Sequence, residues 1–257
     1  MVDKNPRSLK VKKILISQPQ PADYEKSPYF SLAKKYSLDL TFRKMIRIEG
    51  LTASEFRKQK INIPDYTAII FTCKNAVDNF FRLCGEMRIK MPDTTKYFCI
   101  SESTAYYLQK YVQFRKRKIF HGNENAADLM TLVKKHSTEK YLFPCVENVK
   151  HEMMQMMSTA KVTFTKAVIY RTVSSDVSDL NLGDYHMLVF FSPFGVEALF
   201  DNCVKYEQGD QLIAVFGQTT LATAKEKGLD IAVQAPTETA PSMTMAIDQF
   251  LARNNKK

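Results

Sequence analysis

Short apolar runs recur along this chain, and each is followed by an amphipathic segment of about 10 to 15 residues. A short run bounded by polar residues reads as a strand buried on both faces, and a longer amphipathic segment reads as a helix laid on it. On that pattern we expect strands at Lys13–Ser17, Leu38–Phe42, Thr67–Thr72, Tyr97–Ile100, Lys118–Phe120, Lys140–Pro144, Val162–Thr165, Met187–Phe191, Leu212–Phe216 and Asp230–Val233. Helices are expected at Tyr29–Tyr36, Asn75–Cys84, Ser103–Tyr111, Asn125–His136, Glu147–Ser158, Gly195–Cys203, Thr219–Lys227 and Thr239–Ala252, with Pro241 in the first turn of the last one. Strand and helix in alternation make βα units, so the fold class predicted is α/β with parallel sheets.

The chain also repeats itself. Phe71-Thr72-Cys73-Lys74-Asn75-Ala76-Val77 is similar to Phe190-Phe191-Ser192-Pro193-Phe194-Gly195-Val196, and Ile100-Ser101-Glu102-Ser103-Thr104 to Phe216-Gly217-Gln218-Thr219-Thr220. A third pair is Thr41-Phe42-Arg43-Lys44 and Thr163-Phe164-Thr165-Lys166, and the three offsets are 119, 116 and 122 positions. Similar offsets imply two copies of one unit. The order of the pieces nests one copy inside the other. Residues 1–42 and 174–257 should form one discontinuous domain, and 50–166 an inserted one. The crossings at 43–49 and 167–173 are rich in β-branched and basic residues and suit a two-stranded linker.

Composition narrows the function. Of 257 residues, 45% are hydrophobic and 25% charged, ordinary for a folded protein with a sizeable core. The longest apolar stretches, such as Met187–Phe191, fall far short of the roughly 20 residues that cross a bilayer. Met1 to Lys13 is polar and basic, so no signal peptide is read there. Five cysteines, an odd number with no C-x-x-C pair, read as free thiols of a reducing compartment, so a cytoplasmic location is expected. No coiled-coil heptad is visible, and a monomer is expected. The formal charge of +10 attracts anions. Its only dense run, Arg115-Lys116-Arg117-Lys118, lacks interleaved aromatics and any nucleic-acid motif, so it reads as a solvated loop or strand edge. Neither nucleic acid nor membrane is expected as a partner.

Several chemistries are absent from the sequence. His121, His136, His151 and His186 share no metal-ligand spacing with each other or with cysteine, so no metal is expected. No phosphate-binding glycine loop and no nucleophile elbow occur. What recurs is a small hydroxyl or thiol residue between a strand end and a helix start: Thr72-Cys73, Ser101 with Ser103-Thr104, Ser192, and Thr219-Thr220. Ligands of parallel sheets bind at the carboxyl ends of strands, where helix N-termini offer free N–H groups to anions. The same residue types cap helices, and for any one turn capping is the simpler account. Four turns in two matched pairs favour a shared site for a polyanion. Cys73 reads as a stand-in for a small hydroxyl, and Met153, Met154, Met156 and Met157 as core packing.

Several of these stretches resemble the uroporphyrinogen-III synthase family: Ile16-Ser17-Gln18-Pro19, Phe71-Thr72 with Asn75-Ala76-Val77, Val168-Ile169-Tyr170-Arg171-Thr172-Val173, Phe191-Ser192-Pro193, Gly217-Gln218-Thr219-Thr220 with Ala224 and Gly228, and the closing Pro236-Thr237. The resemblance runs over nearly the whole chain in order and register. It implies two similar flavodoxin-like domains, one discontinuous, joined by a two-stranded linker. It also implies a lyase of tetrapyrrole (haem) biosynthesis that closes linear hydroxymethylbilane to uroporphyrinogen III, inverting the last pyrrole ring without a cofactor. Carried over by position, Thr72, Cys73, Asn75, Ser101, Ser103, Ser192, Gly217, Thr219 and Thr220 would line the substrate site, and Tyr170 would assist departure of the substrate hydroxyl, directly or through water. The chain departs from the family pattern at Gln18 (often Arg), Phe191 (Thr), Ser101 (Gly) and Pro144-Cys145-Val146-Glu147 (a P-R-G-D-like turn). Those departures keep open a non-catalytic relative that binds a polyanion or a protein. An unrelated hinged binding protein built from two such domains leaves the motif register unexplained.

Overall fold

The structure, a computed structural model, describes residues 10–113, 115, 117–148 and 152–254. Lys116, His151 and the ends of the basic N-terminal stretch and of the C-terminus lie outside the described residues. In chain order the elements are β1 (Lys13–Ile16), α1 (Pro28–Tyr36), β2 (Asp39–Phe42), β3 (Ile46–Gly50), α2 (Ala53–Arg57), β4 (Ala68–Phe71), α3 (Lys74–Glu86), β5 (Lys96–Cys99), α4 (Glu102–Leu108) and β6 (Ile119–His121). There follow α5 (Ala126–Lys135), β7 (Tyr141–Val146), α6 (Glu152–Thr159), β8 (Phe164–Ser174), β9 (Met187–Phe190), α7 (Pro193–Asn202), β10 (Leu212–Phe216), α8 (Gln218–Glu226), β11 (Ile231–Ala235) and α9 (Met243–Asn254). The α/β class with parallel sheets read from the sequence is what the chain adopts.

The chain divides into two compact units, one taking in residues up to Arg47 and from Val173 onward, the other Ile48–Thr172. The first holds a sheet ordered β11-β10-β9-β1-β2, with every pairing parallel. The second is ordered β3-β8-β7-β4-β5-β6, parallel from β8 to β6. The two orders correspond strand for strand: β9 with β4, β10 with β5, β11 with β6, β1 with β7 and β2 with β8. β1 and β4 therefore lie in different sheets. The chain passes between units within β3 and β8, which are neighbours. Leu51 N–H bonds to the Ile169 carbonyl and Ser175 N–H to that of Met45, so these two strands run antiparallel.

Burial explains the layering. In β4 and β9 all four residues are buried, because helices cover both faces of each sheet. Strand alternation then sorts the core. Ile69, Phe71, Tyr97 and Cys99 pack with Val77, Phe80 and Leu83 of α3, and Ala68, Ile70 and Phe98 pack with Leu129 and Val133 of α5. In the other unit Ile14, Ile16 and Val189 meet Ile247 and Leu251 of α9, and Leu15, Leu188 and Val215 meet Val196 and Leu199 of α7. Each such large side chain contributes roughly 1.5–3 kcal/mol when taken out of water.

Local differences from the sequence reading have simple causes. Val162–Thr165 and the crossing 167–173 fuse into one strand, β8, of 11 residues, because Arg171-Thr172-Val173 stay extended beside β3. β7 runs on to Val146, so Pro144-Cys145-Val146 is strand rather than turn. Pro241 lies before α9, not in it. Ser242 caps that helix instead, accepting the Met245 N–H at 3.2 Å.

Candidate binding surfaces at the strand carboxyl ends

Each unit carries its share of the sequence-predicted residues where its strands end and its helices begin. In the inserted unit, β4 leads through half-buried Thr72 into α3, whose N-cap is Cys73 with extended backbone (φ −165°, ψ 164°). Cys73 makes no side-chain cap bond. Its Sγ lies 3.3 Å from the Tyr170 hydroxyl instead. Tyr170 comes from β8 and is 6% exposed. Burial, with the contact to Cys73 adding to it, pushes the phenol well above its ordinary pKa, so Tyr170 stays protonated at neutral pH. The exposed Asn75 sits in the first turn of α3, where its carbonyl accepts from the Asn79 side chain at 2.9 Å.

The next turn of that unit is built differently. Ser101 follows β5 and is 5% exposed. Its Oγ accepts the Thr104 N–H at 3.3 Å and is 3.1 Å from the hydroxyls of both Ser103 and Thr104. Ser101 is a satisfied N-cap, as the capping account of such turns has it. The exposed Ser103 is the group this turn offers outward.

The other unit shows the reverse arrangement. Ser192 follows β9 and caps α7 by accepting the Gly195 N–H at 3.2 Å, with Pro193 in the first helical turn. Gly217 follows β10 and is the N-cap of α8 with φ 88° and ψ 149°, a conformation nearly confined to glycine, and has no side chain to cap with. Gln218 and Thr219 stand at that helix start, both exposed, and Thr220 is only 1% exposed. Phe191 packs against Phe216 at 5.8 Å between ring centres and against the α1/α9 core, so its bulk is largely turned into its own unit. Gln18, just past β1, is half-buried.

The structure thus brings Thr72, Cys73, Ser103 and Tyr170 to one sheet end, and Ser192, Gly217 and Thr219 to another. α3 and α8 start without a side-chain cap, which leaves first-turn N–H groups and the positive end of the helix dipole for an anion. The contact between Cys73 and Tyr170 spans 97 positions and had no signal in the sequence. Among the described residues no group of three or more His, Cys, Asp and Glu could hold a metal ion. His186 accepts the Lys13 N–H, and the His136 ring packs on Phe98 and Phe120. All five cysteines are free. Among the described residues no helix is long and apolar enough to cross a membrane.

Residues 29–245 match the family model described as Uroporphyrinogen-III synthase HemD. Two solved structures share the architecture. One is the uroporphyrinogen-III synthetase of Helicobacter pylori 26695, 16% identical, with a TM-score of 0.54 over 94% of this chain and 99% of that one. The other is a mutant uroporphyrinogen III synthase of the extremely thermophilic bacterium Thermus thermophilus, 13% identical, with a TM-score of 0.50 over 94% and 99%. At such identities the likeness is one of fold. No curated protein matches the sequence.

Proposed function

Because the chain belongs to the uroporphyrinogen-III synthase family, we propose that it closes hydroxymethylbilane to uroporphyrinogen III with inversion of ring D. The observation that supports this most is Tyr170: a buried, protonated phenol at a strand carboxyl end, inside the family-matched stretch and steadied by Cys73. It is the hydrogen-bond or proton donor for the departing substrate hydroxyl, which leaves as water. The azafulvene left on ring A is then attacked by the substituted carbon of ring D. Carboxylates suit the uncapped helix start that each unit offers, α3 with Thr72, Lys74 and Asn75 and α8 with Gly217, Gln218 and Thr219. Ser101 and Ser192 contribute mainly by capping α4 and α7.

Without an enzyme the bilane closes to the symmetric type I isomer, so the protein must outrun that closure. Orienting two reacting centres removes roughly 7–11 kcal/mol of barrier, enough for positioning to carry most of the catalysis with no cofactor. The protein acts as a cytoplasmic monomer, and a sedimentation mass of twice the chain mass would refute that. Freshly made hydroxymethylbilane, incubated with the protein and resolved into product isomers, tests the activity. Excess type III product from the native chain supports it. Type I alone, from a protein that still binds the tetrapyrrole, leaves a non-catalytic member of the family. Binding should weaken as salt rises, because salt screens the attraction between cationic protein and polycarboxylate.

A further inference from the structure

Tyr170 follows a break in the strand register. β8 runs parallel to β7 in step from Phe164 opposite Tyr141 to Val168 opposite Cys145, and then Val146 stands opposite Tyr170. Ile169 is therefore an extra residue, a β-bulge. The hydrogen bonds agree. Backbone groups of successive strand residues normally turn to alternate edges. Here the Val168 N–H and carbonyl both go to the Gln59 side chain, and the Ile169 carbonyl accepts the Leu51 N–H at 2.9 Å, so two successive residues bond to partners outside β7. Tyr170 turns back, and its carbonyl accepts the Glu147 N–H at 3.0 Å. The bulge also decides the face. Strict alternation from Ala167 would set Tyr170 on the far side of the sheet. Instead Ala167, Ile169 and Tyr170 all pack in the core beneath α3, where the Tyr170 hydroxyl meets Cys73.

Gln59 holds this bulge. Its carboxamide N–H donates to the Val168 carbonyl at 2.7 Å, and its oxygen accepts the Val168 N–H at 3.0 Å. A carboxamide offers a donor and an acceptor side by side, as a peptide group does. Gln59 thus stands in for a neighbouring strand where β3 has ended at Gly50. Gln59 is itself fixed by α2, which it follows. Its N–H bonds to the Phe56 carbonyl at 2.9 Å, and the Phe56 side chain is fully buried. The counterpart pair in the discontinuous unit, β1 with β2, keeps step from Lys13 opposite Asp39 to Ile16 opposite Phe42. At this strand pair the bulge belongs to the unit that carries the phenol.

We infer that Gln59 is a positioning residue for Tyr170: by clamping both backbone groups of Val168 it keeps the bulge that turns the phenol toward Cys73 at the start of α3. The inference rests on the reading of Tyr170 as donor to the departing hydroxyl, and adds the residue that sets its aim. Without the carboxamide, Val168 loses both partners and the strand is free to regularise, which carries Tyr170 away from Cys73.

The test uses two variants of the full chain. Gln59→Met keeps the length and removes both bonds. Gln59→Glu keeps the acceptor for the Val168 N–H but sets a carboxylate oxygen against the Val168 carbonyl, and it carries the comparison should Gln59→Met not fold. The first readout needs no activity: NMR of ring-labelled tyrosine, with Tyr170 assigned through its loss in Tyr170→Phe. Both variants should shift the Tyr170 resonance and leave in place that of Tyr141, which packs on the other face of the sheet. The second readout is type III product formation, where each variant should lower kcat about tenfold with KM unchanged, as for an interaction made only in the transition state. Introduced into Tyr170→Phe, the same changes should cost less than about twofold, because residues that act through one group are not additive. An unmoved Tyr170 resonance in both variants overturns the inference, whether or not the chain makes type III product. So does a loss of kcat that persists undiminished in Tyr170→Phe, or a rise in KM alone, since either gives Gln59 another role. A chain that makes no type III product while the Tyr170 resonance shifts as stated supports the clamp and counts against the donor role of Tyr170 alone.

Discussion

The two units share one plan and use it differently. Their matching extends to detail: each enters its central strand through an Asn-x-x-Asp turn, with Asn62 bonded to Asp65 at 2.6 Å and Asn181 to Asp184 at 2.8 Å. After the following tyrosine, Thr67 accepts the Lys140 N–H and His186 that of Lys13. At the strand carboxyl ends they part. In the inserted unit the first turn is uncapped (Cys73) and the second capped (Ser101), and in the discontinuous unit the first is capped (Ser192) and the second uncapped (Gly217). The scaffold is the same, and which helix is left open is decided by single residues. Each unit therefore has one helix start closed by a side chain and one left open.

The largest expected effect lies at the one turn where a distant phenol takes the place of the cap bond. Tyr170→Phe should cut type III product formation about 100-fold, in the range for loss of a positioned proton donor. It should leave the fold intact, because only the contact to Cys73 is lost. An unchanged rate would move the donor role away from Tyr170. Gly217→Ser then asks whether the open helix of the discontinuous unit can be capped as its counterpart Ser101 is. With φ at 88° the new Cβ is strained, so the variant should lose roughly 1–3 kcal/mol in thermal unfolding despite the hydroxyl. A gain in stability would show that the turn tolerates a side chain and that glycine is there for another reason. Smaller again are the capped turns. Ser101→Ala and Ser192→Ala should each cost about 1 kcal/mol, and Cys73→Ala less than half of that. Equal costs at all three would erase the distinction between capped and open helices.

The sequence carried the scaffold well and the site poorly, for reasons visible in these residues. Alternation and runs such as Ala68-Ile69-Ile70-Phe71 report burial directly, so strand positions, the nested repeat and the α/β class could be read. The Asn-x-x-Asp-Tyr turn, present at 62–66 and again at 181–185, is a sharper repeat signal than those used. The ends of elements were less legible, since β8 stays extended through polar Arg171 and Thr172 by pairing with β3. Whether a hydroxyl caps a helix or faces outward depends on one side-chain rotation, which composition does not encode. Ser101 and Ser103 are two residues apart, and only one is buried.

A last difference between the units is an insertion with a consequence for acid stability. Between β3 and β4 the inserted unit has α2, and its counterpart, the stretch after β8, has no α-helix. α2 opens with a capping box: Glu55 N–H bonds to the Thr52 hydroxyl at 3.2 Å, and the Glu55 carboxylate accepts the Thr52 N–H at 2.8 Å. The Arg171 guanidinium of β8 reaches the Glu55 carboxylate at 2.9 Å. The two bonds from Thr52, and then Arg171, hold the Glu55 carboxyl near a pKa of about 2, below its ordinary 4.5. A depressed carboxyl pKa stabilises the folded state fully above the unfolded value, and that stability is lost as pH falls from 4.5 toward 2. Amide exchange over residues 51–58 should therefore quicken through that window. Glu55→Gln keeps the capping-box geometry but has no proton to take up, so its exchange should be nearly flat there. The effect should be small, because the side chain is a third exposed and water screens it. In the discontinuous unit Asp176 is held down by the Ser178 N–H and Asp248 by Lys35, so exchange near those residues should keep its own acid response in the Glu55→Gln protein. If residues 51–58 in Glu55→Gln quicken with acid as steeply as in the native chain, Glu55 is not what makes the inserted segment acid-sensitive.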